Sequence, residues 1–184
     1  TYTAGDTMKV RVTLKDEKGN PVKGKASELA REGVVVVPNT EEQPEGVSWS
    51  EGEDGQYTAE YTAKTAGSNL TVTLTYTGWD RTHVESREYS ITAGDVNADH
   101  SEVSVSTDTI LADGLAEATV TYRARDVNDN PVTGLTKNGL TLAVTGVTGY
   151  DFSEFTESDD TPGIYTGTLT GTKAGEASLM PQIN

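Results

Sequence analysis

The sequence contains no cysteine among its 184 residues. This absence excludes disulfide bonds, cysteine-ligated metal sites and thiol nucleophiles, and it argues against a eukaryotic secreted domain of this size. Histidine is scarce as well, because His83 and His100 are the chain's two histidines and neither has a partner at a spacing typical of catalysis. Carboxylates are plentiful, but paired catalytic acids cannot be distinguished from solvated charge in so acidic a sequence. The composition therefore predicts that the chain is not an enzyme.

Basic residues are also in short supply. The chain has 14 Lys and Arg against 29 Asp and Glu, which gives a formal net charge of -15. Because a phosphate backbone requires clustered cations, nucleic acid is not an expected partner. No apolar run reaches the roughly 20 residues that cross a bilayer, so no membrane contact by this segment is expected. The first residues, Thr1–Asp6, lack signal-peptide character, and we expect targeting information to lie outside the segment.

Three short sequence landmarks occur twice and in the same order. The matched segments are 16–24 with 126–134, 54–59 with 162–167, and 64–67 with 172–175. A repeated order at a nearly constant offset indicates a duplicated unit rather than chance. Since an immunoglobulin-type unit needs about 100 residues, the length suits two of them. We predict two domains, spanning residues 1–93 and 94–184.

Apolar residues recur at every second position around these landmarks, as they do in half-buried strands. The inward-facing sets are Met8, Val10, Val12 and Leu14 in the first copy and Ala118, Val120, Tyr122 and Ala124 in the second. Turns rich in Gly, Asn and Pro separate the strands, and only the segment 25–31 has helical composition. The predicted fold class is all-β, with two tandem immunoglobulin-like β-sandwich domains.

The strand pattern predicts that each domain is missing one edge strand. The predicted strands are 7–15, 33–38, 46–50, 56–63, 69–77 and 85–92 in the first domain, and 101–107, 115–125, 138–146, 151–156, 164–171 and 176–183 in the second. In the usual lettering, the first domain lacks strand A and the second lacks strand G. Since an unpaired sheet edge is an aggregation hazard, we expect flanking sequence of the parent protein to supply both strands.

Several phrases resemble the bacterial immunoglobulin-like repeats of the intimin/invasin (inverse autotransporter) adhesins. They are 54–67, Gly78-Trp79, 89–94 and Ala112-Asp113-Gly114 followed by a Gly-Asn-Pro-Val type of turn, while 162–172 and 179–184 are similar to the invasin third-domain type. The resemblance implies an extracellular stalk segment at the bacterial cell surface, anchored in the outer membrane through a part not present here. The implied partners are neighbouring immunoglobulin-like repeats and, through a distal domain of the parent protein, a host cell-surface protein or glycan.

The alternative function is direct binding of a host receptor or a glycan by this segment. Trp79, which follows Gly78 in a predicted turn, is the candidate ligand-binding residue, because flat aromatic faces stack on pyranose rings. Trp49 offers the same chemistry, but packing in a core or loop is the commoner fate of a lone tryptophan.

Acidic residues cluster at the predicted junction of the two domains. The linker 94–100 and the loops 126–131 and 157–162 should meet there, since strand A starts at the same end of a sandwich as the B–C and D–E loops. A dense set of hard oxygen ligands suits Ca²⁺. The candidate ligands are Asp95, Asp99, Asp126 and Asp129. The competing interpretation is a solvated, repulsive rim, and we favour it because the segments 95–101 and 126–131, which resemble calcium-binding loops, both depart from the calcium-loop pattern at key positions.

Overall fold

A computed structural model describes residues 1–43, 45–76 and 83–184. The chain divides into two compact units, Thr1–Ala93 and Gly94–Asn184. Both are built of strands, which confirms the predicted fold class; the helical elements of the described ranges are α1 (Ala26–Leu29) and a 3-10 helix (Leu135–Asn138). No helix in these ranges is long and apolar enough to span a membrane.

The described residues of the first unit form nine short strands. They are β1 (Tyr2–Thr3), β2 (Thr7–Thr13), β3 (Val35–Val36), β4 (Ser50–Glu51), β5 (Gln56–Thr62), β6 (Gly67–Leu70), β7 (Thr73–Leu74), β8 (Val84–Glu85) and β9 (Tyr89–Thr92). These strands form three small sheets with the orders β2-β5-β4, β3-β7-β8 and β1-β9-β6.

The core of the first unit follows from the alternation in β2 and β5. The two strands are antiparallel, with Met8 opposite Tyr61 and Val12 opposite Tyr57. Residues opposite each other in such a pair point to the same face, so the apolar positions of both strands meet in one buried layer. The predicted inward residues of β2 are all buried, and Trp49 is buried in the same core.

A strand that the sequence analysis did not assign precedes β2. This strand, β1, lies parallel to β9, with Tyr2 opposite Ile91 and Thr3 opposite Thr92. The pattern could not reveal it, because two residues are too few to show an alternation. The outer edge of β2 has no strand beside it among the described residues.

The second unit contains seven strands in two sheets. They are β10 (Glu102–Val105), β11 (Ala118–Arg123), β12 (Leu140–Thr145), β13 (Tyr150–Phe152), β14 (Thr156–Glu157), β15 (Ile164–Gly171) and β16 (Ser178–Ile183). The larger sheet has the order β10-β11-β15-β13, with β14 also beside β15, and the smaller one pairs β12 with β16. No other strand of the described chain adjoins the second edge of β16.

Aromatic and aliphatic side chains fill the core of the second unit. Val120 and Tyr165 are fully buried, and the ring of Phe155 packs edge-on against Phe152 with centroids 5.0 Å apart. The inward set predicted for this unit is buried as well. In contrast, Leu142 and Val144 are only half-buried, because the smaller sheet that carries them has just two strands.

Candidate functional site

A five-residue turn is built identically in both units from an aspartate and an asparagine four residues later. In the first unit the Asp16 carboxylate accepts hydrogen bonds from the backbone N–H of Lys18 and Asn20 and from Asn20 Nδ2, at 2.8 to 2.9 Å. In the second, Asp126 accepts from Asn128 N, Asn130 N and Asn130 Nδ2 at the same distances. Aspartate suits this position because its short carboxylate reaches the backbone two residues on.

The aspartates of the two turns differ in burial. Asp16 is exposed, whereas Asp126 is 0% exposed and is one of two buried polar residues that the structure describes. Asp126 has one additional partner, the backbone N–H of Gly94, which donates to Oδ2 at 2.8 Å. A buried carboxylate is stable only when its oxygens are hydrogen-bonded. The second turn therefore holds the start of the segment that leads into its unit.

The hydrogen bonds of Asp126 keep it ionised despite its burial. Burial by itself raises the pKa of this carboxyl, but the N–H donors of Asn130, Gly94 and Asn128 outweigh that effect and hold the pKa below its ordinary value of 3.8. Donors that favour the charged form act against desolvation in this way. At neutral pH the turn consequently contains a buried, hydrogen-bonded anion.

Residues 94–101 form a segment that we call the anchored segment. Its remaining contacts are with Asp129 of the same turn and with Arg125, which directly precedes the turn. Asn97 N donates to the carbonyl of Arg125 at 2.7 Å, and Ser101 Oγ both donates to that carbonyl at 3.2 Å and accepts from Arg125 N at 3.0 Å. His100 Nδ1 lies 2.7 Å from Asp129 Oδ1. The anchored segment thus contacts the turn at its first residue, in its middle and at its end.

The structure separates the roles of the four predicted calcium ligands. Both carboxylate oxygens of Asp126 already accept hydrogen bonds from N–H donors, and Asp129 Oδ1 lies beside His100 Nδ1. Asp95 and Asp99 are exposed. Among the described residues no group of three or more His, Asp or Glu side chains is arranged to hold a metal ion. The calcium site stays a prediction.

Of the two tryptophans, Trp49 lies within the described residues and Trp79 does not. Trp49 is buried in the core of the first unit, 7% exposed, and its indole Nε1 has no hydrogen-bond partner in the described part of the chain. Trp79 lies outside the described residues, so its role in ligand binding also stays a prediction.

Sequence reasoning identified Asp126 and Asp129 but missed Gly94, whose N–H donates to Asp126, and the hydrogen bonds between Ser101 and Arg125 beside the turn. Two of these three contribute backbone groups, which leave no trace in residue type. His100, which follows the acidic stretch 95–99, was a signal for a contact with a carboxylate, and its Nδ1 lies beside Asp129 Oδ1.

The fold and the duplicated turn define a class of protein: tandem immunoglobulin-like β-sandwiches built by repetition. The family model for invasin domain 3 matches residues 97–184. The inverse autotransporter adhesin YeeJ of Escherichia coli is 31% identical over 175 residues, which are 94% of this chain and 7% of that protein. These findings fit immunoglobulin-like domains of the intimin/invasin family, as the sequence resemblance predicted, and the family model covers nearly the whole second unit.

Solved structures agree with this assignment. The Escherichia coli adhesin FdeC is similar over 100% of this chain and 55% of its own, with 27% identity and a TM-score of 0.64. Invasin, described as a bacterial integrin-binding protein, is similar over 95% of this chain and 33% of its own, with 27% identity and a TM-score of 0.57. The chain thus spans about half or less of the relatives that it matches.

Proposed function

We propose that this chain is a stalk segment of a bacterial outer-membrane adhesin, lying outside the cell and joining neighbouring immunoglobulin-like repeats. The relatives that support the proposal are named as adhesins, and none of those names describes an enzyme. Binding to a host cell-surface protein or glycan would then belong to another part of the parent protein.

The observation that carries the proposal is the anchored segment. Residues that join two independent cores are usually free to move unless they are tied down. In this chain the joining residues are hydrogen-bonded to a buried carboxylate, to a backbone carbonyl and to an exposed aspartate of the second unit. These contacts fix the point at which the chain enters the second unit, as a repeat in a chain of domains requires.

A binding experiment with residues 1–184 tests the stalk function. The fragment is applied to cultured host cells and to a glycan array over a wide concentration range, with the full-length protein as the positive control. We expect no saturable binding by the fragment and no competition with the full-length protein. Saturable binding would overturn the stalk function and favour direct recognition by this segment.

Direct recognition has its own test in Trp79. If the fragment binds a glycan, Trp79→Ala should abolish that binding when the indole stacks on the sugar, and Trp49→Phe, a change inside the core, should leave it intact. Glycan binding that survives Trp79→Ala would exclude the stacking role of this residue.

A further inference from the structure

The outer face of the larger sheet of the second unit is covered by hydroxyl side chains. Strand register and the backbone hydrogen bonds beside β11 and β15 align eight of them in two rows of four that cross the sheet. The rows are Ser104, Thr121, Thr166 and Thr156, and Ser106, Thr119, Thr168 and Ser153. None of the eight is charged, in a chain whose formal net charge is -15. The rows therefore form a neutral area on an acidic protein.

Six of these hydroxyl groups have no hydrogen-bond partner among the described residues. The exceptions are Ser106 Oγ, which accepts from the backbone N–H of Thr119, and Ser153 Oγ, which accepts from that of Thr168. A hydroxyl group both donates and accepts hydrogen bonds. A face of free hydroxyl groups is therefore complementary to another copy of itself. Threonine side chains also have few rotamers to lose, which lowers the entropic cost of ordering them in a contact.

The equivalent face of the first unit is charged. In β2, which corresponds to β11 by the repeat, Lys9 and Arg11 occupy the positions of Thr119 and Thr121. Lys9 also lies opposite Glu60, with Nζ 3.9 Å from Oε1. Two copies of this face would bring their lysine and arginine side chains together, and like charges in a contact are unfavourable. The neutral face is thus particular to the second unit and is not imposed by the fold.

Opposite charges flank the two threonines of β11. Glu117 directly precedes this strand and Arg123 is its last residue, and both are exposed. They lie an even number of residues from the threonines, so all four side chains point to the same face. When this row meets a copy of itself in the reverse direction, the arginine of each copy faces the glutamate of the other. The order of the charges is therefore self-complementary about a two-fold axis.

We propose that this face binds a second copy of the same chain. The two sheets pack face to face with β11 of one copy antiparallel to β11 of the other. Arg123 of each copy then lies against Glu117 of the other, and the hydroxyl rows meet between these charges. The same residues serve both copies, as a two-fold contact requires. This proposal does not depend on the stalk function.

Sedimentation equilibrium on residues 1–184 tests the proposal. The chain is studied at concentrations from about 10 μM to about 1 mM, the range in which a small polar interface dissociates. We expect the weight-average mass to rise from the 19.5 kDa of one chain towards twice that value. A mass that stays at one chain through the whole series would overturn the proposal.

Charge reversal on β11 identifies the face that makes the contact. Arg123→Glu alone and Glu117→Arg alone should each give monomers, because like charges then face each other. An equimolar mixture of the two variants should restore dimers, since one variant has glutamate at both positions and the other has arginine at both. Arg11→Glu is the matched control, because it makes the same change of charge on the equivalent face of the first unit. It should leave the association unchanged.

The charge-reversed variants also separate a local contact from an effect of net charge. Arg123→Glu makes the chain more acidic and Glu117→Arg makes it less acidic, so a net-charge effect would move their association in opposite directions. Melting temperatures establish that each variant is folded. Dimers that persist in both single variants, or folded variants whose mixture stays monomeric, would contradict this arrangement. Equal loss of association in Arg11→Glu and Arg123→Glu would contradict it as well.

Discussion

Tyr57 and Tyr165 make the same pair of hydrogen bonds in the two units. Each hydroxyl donates at 2.8 Å to the carbonyl of a valine in the preceding turn, Val22 or Val132. Each also accepts at 3.2 Å a backbone N–H three residues further along, from Lys25 or Leu135. Both tyrosines are 0% exposed. In both units the hydroxyl thus connects one strand, β5 or β15, to the loop that follows the strand paired with it, β2 or β11.

Tyr165→Phe should destabilise the second unit. The variant keeps the ring but leaves a buried carbonyl and a buried N–H without partners, which costs about 1 to 3 kcal/mol. Denaturant titration measures the free energy of unfolding. Tyr150→Phe is the matched control, because Tyr150 is 42% exposed, and it should change that free energy by less than about 0.5 kcal/mol. Equal effects of the two variants would show that this connection contributes nothing.

Asp126→Ala should release the anchored segment, and Asp16→Ala is the matched control. Both variants remove the same three contacts within the turn, but only the first removes the bond from Gly94 N. We expect amide exchange at Gly94, Asn97 and Ser101 to accelerate at least about tenfold in Asp126→Ala, because their common support is lost. Unchanged exchange at these three positions would show that the segment is held without Asp126.

The stability of the second unit should fall under acid conditions. Because hydrogen bonds hold the pKa of Asp126 below its ordinary value of 3.8, the unfolded chain binds this proton more readily than the folded chain does. The stabilisation is therefore complete above pH 3.8 and is lost as the pH falls through the lower folded pKa. Urea titrations across this range should show a smaller acid-dependent loss in Asp126→Asn than in the unmodified protein. Equal losses would exclude Asp126 as the source.

Gly163→Ala and Gly55→Ala should be more harmful than Gly134→Ala. All three glycines have φ between +71° and +76°, so alanine incurs a backbone cost of about 1 to 3 kcal/mol at each position. At Gly163 a Cβ would also lie 2.8 Å from Pro131 Cβ, and at Gly55 it would clash with the carbonyl of Leu14, whereas at Gly134 nothing lies within 4 Å. Melting temperatures should fall further for the first two variants. A similar fall in melting temperature for all three variants would show that the positive φ alone, and not the Cβ contacts, accounts for the loss of stability.

Calcium should leave the melting temperature unchanged. A metal ion at Asp126 would have to displace the N–H donors that hold its carboxylate, and a ligand that binds the native state must raise its stability. Thermal melts in EGTA and in millimolar Ca²⁺ are compared. A clearly higher melting temperature with Ca²⁺ would establish the predicted site, and Asp95→Asn together with Asp99→Asn would then show which oxygens take part.

The alternation of apolar and polar residues predicted the central strands well and the peripheral strands poorly. The prediction of 164–171 has the bounds of β15, and β2 and β5 lie within their predicted ranges. One face of each of these strands is buried, so apolar residues occupy every second position of its sequence. The predicted strand 69–77 is instead divided between β6 and β7, and β6 itself has a register shift against β9 between Gly67 and Leu70, where Asn69 has a φ of 55°. A backbone irregularity of this kind depends on tertiary context, which side-chain type alone does not record.

The candidate site was predictable only in part for a related reason. The acidic residues of the 126–130 turn stood out, as did their likeness to 16–20. The burial of Asp126 could not be predicted, because Asp16 and Asp126 share the pattern of an asparagine four residues later, yet only Asp126 is buried and bonded to the backbone N–H of Gly94. Local pattern specifies the turn, whereas the fold decides its environment.

The bond between Gly94 and Asp126 also determines where mechanical load enters the second unit. Tension pulling on the chain from the side of Gly94 acts first on this bond and on the bond from Asn97 N to the Arg125 carbonyl. These two contacts, and those of His100 and Ser101, all precede β10, an edge strand that pairs with β11 alone. The buried carboxylate therefore gives the chain an attachment to the second unit ahead of its first edge strand.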